Sequence, residues 1–182
     1  MSKISKATEA REFVSEKLGH VKEESDARIV VRAIVLGGVA GLRSLLAPAL
    51  LSAKLARKNP HSAAGRLSEA LSDPPVAMTL KVLSAGELIG DKLPQTPSRI
   101  SPLPLAARAV SGALVGGAVF GSARRPVWIG VVLGASAAVG AAYGGYHLRK
   151  LADEKLNLPD PVIALVEDAI AVGVGTAVLS KS

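Results

Sequence analysis

Long stretches of this chain carry almost no charge, and Gly, Pro and isolated charges punctuate them. The clearest is 126–148, PVWIGVVLGASAAVGAAYGGYHL, which has no formal charge over 23 residues when His147 is neutral. As a helix it would reach ~34 Å at ~1.5 Å per residue, enough for a ~30 Å hydrocarbon core. Four further apolar runs accompany it. They cover about 29–53 with Arg32 and Arg43, 74–90 with Lys81 and Glu87, 103–122 with Arg108, and 161–180 with Glu167 and Asp168. The pattern predicts an all-α integral membrane protein, a compact bundle of about five short Gly-rich transmembrane helices in one domain over 29–182. The run at 74–90 is near the lower limit for spanning, so it reads either as a short span or as a re-entrant or interfacial segment.

Residues 1–28 form a separate region in which acids and bases alternate. Val14, Leu18 and Val21 give it a narrow apolar stripe at helical spacing. It predicts a charged amphipathic helix on the membrane or the bundle. A signal peptide would need an apolar run behind a basic start.

Proline and glycine refine the spans. Pro74, Pro75 and Pro161 fall in first helical turns, where a missing N–H costs nothing, and Asp73 and Asp160 precede them as caps. Pro48 lies inside the first run and should kink or break it, leaving a carbonyl that must face protein or water. Six pairs have small-xxx-small spacing: Gly37/Gly41, Gly86/Gly90, Gly112/Gly116, Gly117/Gly121, Gly130/Gly134 and Gly140/Gly144. Such spacing lets backbones approach closely in lipid. Val35-Leu36-Gly37 and Val132-Leu133-Gly134 open similar stretches, each followed by Asp-Pro and an apolar helix, LSDPPVAM and LPDPVIAL. With one span between the two pairs of helices, this suggests an inverted-topology repeat, an arrangement found in transporters.

Composition changes the picture only a little. A length of 182 residues would permit a soluble domain, but 3% aromatic residues and long uncharged runs favour the bilayer. The formal charge of +7 could suggest nucleic acid. The basic residues sit between apolar runs, however, and only Phe13, Phe120, Trp128, Tyr143 and Tyr146 could stack on bases. Anionic lipid headgroups are the expected partner, and nucleic acid is not. The five-span arrangement divides the basic residues evenly between the two faces; Arg124-Arg125 in a tight turn is its best cytoplasmic marker. There is no cysteine, which excludes disulfides and thiolate chemistry. His20, His61 and His147 show no metal-ligand spacing, and no nucleophile elbow or phosphate loop is present. No catalytic residue, metal or cofactor is therefore expected.

The chemistry lies in charges inside apolar runs. Each costs roughly 2.5–3.5 kcal/mol at mid-membrane unless compensated. Arg43, Ser44, Glu87, Asp91, Arg108, Tyr143, Tyr146, Glu167 and Asp168 make up the candidate polar site. Arg43, Glu87 and Glu167 are expected to point into the bundle, with an arginine–glutamate contact or a shared cavity. Glu87 and Asp91, one turn apart, would repel without a cation, an arginine or a proton.

The runs Gly41-Leu42-Arg43-Ser44, Gly86-Glu87 with Asp91-Lys92-Leu93-Pro94, Tyr143-Gly144-Gly145-Tyr146 with Arg149, and Glu167-Asp168 carry a resemblance. Over about 29–180 the chain resembles the bacterial membrane family catalogued as domain of unknown function 4126. The resemblance implies a small multi-pass protein of the bacterial inner membrane and supplies no functional residue. Two functions stay open. One is transport or channel-like passage of a small solute or ion through the polar site. The other is a structural or accessory role in which the ion pairs fix helix packing, either alone or in a homo-oligomer. An intramembrane enzyme is the least supported.

Overall fold

The computed structural model of the chain describes residues 25–57, 65–90, 101–156 and 160–180, and every regular element among them is helical. The order is α1 (residues 25–42), α2 (Leu46–Arg57), α3 (Arg66–Ser72), α4 (Pro74–Gly90), α5 (Pro102–Ser122), α6 (Val127–Leu156) and α7 (Asp160–Ser180). The boundary expected at residue 28 falls inside α1, and the amphipathic segment before residue 25 lies outside the described residues.

Glycine sets the tightest contact. Helix α5 opens on Pro102 behind Ser101 and ends at Ser122; a short turn containing Arg124 at φ 55° leads to α6. The two helices return along each other with Gly112 against Gly134 and Gly116 against Gly130. A Cβ at any of these four would overlap the opposite backbone carbonyl. Helix α1 adds to the same ridge. A Cβ at Gly37 would lie 2.5 Å from the Gly134 carbonyl oxygen, and one at Gly41 would overlap that of Ala138. Both numbers rise together, so α1 and α6 run parallel. An inverted repeat requires these two Val-Leu-Gly helices to run in opposite directions, and they do not. Glycine pairing is also uneven: among the described residues, nothing lies within 4 Å of a Cβ added at Gly86, Gly140 or Gly144.

The first apolar run is not one helix. Regular structure stops at Leu42 and resumes at Leu46, and the chain then doubles back. The decisive contact is at Gly175, whose added Cβ would lie 2.7 Å from Leu50 Cδ1 and 3.7 Å from Val39 Cγ1. In an unbroken helix Val39 and Leu50 would sit ~16 Å apart along the axis, too far for one glycine to meet both side chains. Helices α1 and α2 therefore form a hairpin with its tip at 43–45. Helix α7 follows α2 in the same direction: Arg43 meets Asp168 and Lys54 Nζ donates to the Leu179 carbonyl, both 125 residues apart. That lysine also neutralises free carbonyls at the end of α7.

Helix α3 lies across the far end of α5, where a Cβ added at Gly65 (φ 97°) would lie 3.4 Å from Gly121 Cα. Ser52 Oγ donates to Leu71 O at 2.5 Å, joining α2 to α3. Asp73 ends α3, and Pro74-Pro75 open α4, which climbs back to the hairpin tip. Leu36, Val39, Leu46, Leu51, Leu71, Val115, Val119 and Phe120 fill the centre with small alanines between them.

Polarity is inverted relative to a water-soluble domain. Arg43 is 1% exposed and Arg108 4%, whereas Leu103 is 82% and Trp128 69% exposed. Leu148, Met78 and Leu165 also face outward. Among the described residues, three helices are long and apolar enough to cross a membrane: Pro102–Ser122, Val127–Ala152 and Val162–Ser180. That is what a membrane protein requires. Of the two other expected spans, the first is the hairpin and the second is the 17-residue α4.

Candidate functional site

The site is built around the hairpin tip, Arg43-Ser44-Leu45. Its cause is local. Pro48 has no N–H to give the Ser44 carbonyl four residues before it, so the helical ladder cannot run through this point. Ser111 Oγ on α5 donates to that carbonyl instead. Pro48 itself sits in the first turn of α2, where a missing donor costs nothing.

The donors at the start of α2 are satisfied from α4. Glu87 Oε1 accepts from Ser44 N at 2.8 Å and Ser44 Oγ at 2.5 Å, while Oε2 accepts from Leu45 N at 2.8 Å. A carboxylate here is doubly favoured, because it takes charge-assisted bonds and faces the positive end of the α2 dipole. The same glutamate thus caps a helix on a different element, a tertiary form of N-capping.

Arg43 points the other way, into the bundle. Its Nε donates to Asp168 Oδ1 at 2.5 Å, and Nη2 lies 2.5 Å from the same oxygen. Both side chains are nearly removed from solvent, at 1% and 12% exposure. One residue earlier on α7, Glu167 Oε2 accepts from Arg149 Nη2 at 3.4 Å. Gly145 lies beside this pair, where an added Cβ would be in ordinary contact with Glu167 Oε1 at 3.7 Å and would crowd Leu42 Cδ2 at 3.2 Å. Arg108 is buried on α5 one turn before Ser111, on the side that faces the tip. Three arginines and three carboxylates therefore share this level of the bundle, and their formal charges cancel.

Of the sequence-derived candidates, Arg43, Ser44, Glu87 and Asp168 meet at the tip, and Glu167 joins through Arg149. Arg43 pairs with an aspartate, and Arg149–Glu167 is an arginine–glutamate contact among the described residues. Tyr146 packs edge-on against His147 with ring centroids 5.4 Å apart, and Tyr143 is exposed on α6. Asp91 lies outside the described residues. Sequence reasoning missed three contributors to the site. Ser111 carried one signal, a hydroxyl one turn from Arg108 beside Gly112. Arg149 stood inside a resembling motif but at the end of its run. The Leu45 backbone N–H carried none.

A family model matches residues 30–180 of this chain. The chain belongs to the family described as Domain of unknown function (DUF4126). The matched region of this DUF4126 chain contains every residue of the tip cluster, from Arg43 to Asp168. Comparisons with curated proteins and with solved structures gave no match. Among the described residues, no group of three or more His, Asp or Glu side chains could hold a metal ion.

Proposed function

We propose that this chain is an integral membrane protein that passes a small ion or solute through the polar cluster at its hairpin tip. The observation carrying this reading is non-helical backbone at 43–45 held inside the bundle by Glu87 and Ser111. Within a bilayer, such backbone is tolerated only against protein or a water-filled path. Broken helices whose ends face charged groups mark binding sites in transporters. Glu87 is the moving part. While its carboxylate holds Ser44 and Leu45, the tip is closed; a ligand competing for the carboxylate would release both amides and the serine hydroxyl. Glycine contacts among α1, α5 and α6 supply the rigid wall that a moving tip needs.

The same reading gives a topology. A hairpin that re-enters leaves the start of α1, the end of α2, the α5–α6 turn and the end of α7 on one face. Arg28, Lys54, Arg57, Arg66, Arg124 and Arg125 lie on that face, and Lys150 on the other. By the positive-inside rule the first face is cytoplasmic, with the inner membrane of a bacterial cell as the setting. The absence of native cysteine makes this directly testable. Cysteines at Ala27, Ser122 and Ser180 should react with an impermeant maleimide from one side, and one at Glu154 from the other. Labelling of Ala27→Cys and Ser122→Cys from opposite sides would rule out the re-entrant arrangement.

Flux decides the activity. Purified protein in liposomes should pass at least one of a panel of protons, alkali cations, halides and small organic ions. Glu87→Gln should change that flux by about tenfold or more, the loss of one charge-assisted bond of about 1.5–3 kcal/mol. No flux across the panel would sink the transport reading. One observation favours the structural alternative: Arg43, Glu87, Glu167 and Asp168 all have protein partners already. On that reading, Arg43→Met with Asp168→Leu restores the stability that either change alone removes, and no flux accompanies any variant.

A further inference from the structure

Far from the tip, a second feature faces the membrane surface. A cavity of about 250 Å³ opens between the first turns of α1, the end of α5 and the start of α6. Its walls are Ile29, Val30, Phe120, Pro126 and Ile129, and its rim is the Arg125–Asp26 ion pair. Such a slot suits water poorly, because a buried water needs two to four polar partners and the walls offer none. It suits hydrocarbon.

Depth and charge identify the hydrocarbon. Trp128 is exposed beside Ile129, the place an indole takes at the headgroup boundary. Ile129 lies next to it in the slot, so the walls sit just inside the acyl region. Arg124 is exposed in the same turn, held at φ 55°, and Arg28 and Arg66 lie at this end of the bundle with Arg125. Four arginines thus lie at this end of the bundle, and one of them, Arg125, shares the slot's rim with Asp26. A phosphate group would find donors there and an acyl chain would find the walls. Guanidinium suits phosphate through paired N–H donors.

We infer that this slot binds one chain of an anionic phospholipid, with its phosphate at Arg124 and Arg125. The site rests on the chain lying in a bilayer and is independent of transport. The test is native mass spectrometry of the full chain in mild detergent, titrated with phosphatidylglycerol and, separately, phosphatidylcholine. Wild type should retain one phosphatidylglycerol more tightly than phosphatidylcholine. Arg124→Ala should weaken phosphatidylglycerol retention by about fivefold, the surface-charge contribution of one arginine, and leave phosphatidylcholine unchanged. Ile129→Trp, which fills the slot, should weaken both; Val30→Trp repeats that test from α1 should the first variant fold poorly. Equal retention of the two lipids by wild type, or full retention by a folded slot-filled variant, would overturn the site. A chain that stays dispersed without detergent would overturn the membrane reading together with it.

Discussion

Two helical hairpins in this molecule solve the same problem by opposite means. The α5–α6 hairpin turns at the bundle end, and its arms touch backbone to backbone at Gly112, Gly116, Gly130 and Gly134. Its turn can meet water or headgroups, so no side chain from elsewhere is needed to satisfy it. The α1–α2 hairpin turns against neighbouring helices, where its freed backbone groups are half-buried. Side chains from α4 and α5 complete its tip, and α7 neutralises its arginine. The lesson is that a buried turn transfers its cost to other elements. Close packing makes the first hairpin rigid, whereas removable hydrogen bonds hold the second.

Substitutions can break this contrast in graded fashion, read as unfolding free energy in detergent or mixed micelles. The largest loss belongs to Arg43→Ala, which leaves Asp168 without its arginine and should cost about 3–5 kcal/mol. Pairing it with Asp168→Leu should recover most of that loss. Glu87→Ala removes three bonds to a carboxylate and should cost about 3 kcal/mol, with faster amide exchange at Ser44 and Leu45. Gly116→Ala attacks the other hairpin by pushing a methyl into the Gly130 carbonyl, with an expected loss of about 1–3 kcal/mol and little effect on exchange at the tip. Ser111→Ala strands the Ser44 carbonyl for about 1–2 kcal/mol. Smallest of all, Gly140→Ala enters open space on α6, where helix propensity alone would add up to about 1 kcal/mol of stability. A large destabilisation by Gly140→Ala would reveal a contact with another copy of the chain.

Much of this was legible in the sequence, though unevenly. Apolar runs marked the helices of α5, α6 and α7, because length and apolarity are local properties. Pro48 marked a break, because a missing N–H is local too. The reversal at 43–45 was not legible, since an apolar run of this length reads alike whether it crosses or folds back. The partners of the tip depended on tertiary placement: Glu87 announced a charge needing company, not a cap for Ser44 and Leu45. Glycine spacing could not tell which faces meet. Gly112/Gly116 and Gly130/Gly134 oppose each other, while Gly140/Gly144 has the same spacing and no neighbour. The apparent repeat misled for a related reason. Two Val-Leu-Gly segments can look alike because they pack side by side on one ridge, whichever way they run.

The pairing of Arg43 with Asp168 also has a temporal side. The two residues are 125 positions apart, so α7 is made long after the arginine it neutralises. At about 5–20 residues per second, synthesis leaves Arg43 waiting roughly 6–25 s for its aspartate. During that interval the tip can be held by Glu87 and Ser111, but Arg43 still lacks the Asp168 carboxylate. Final docking of the hairpin must therefore follow arrival of the last helix. A chain stopped before α7 would never gain that carboxylate.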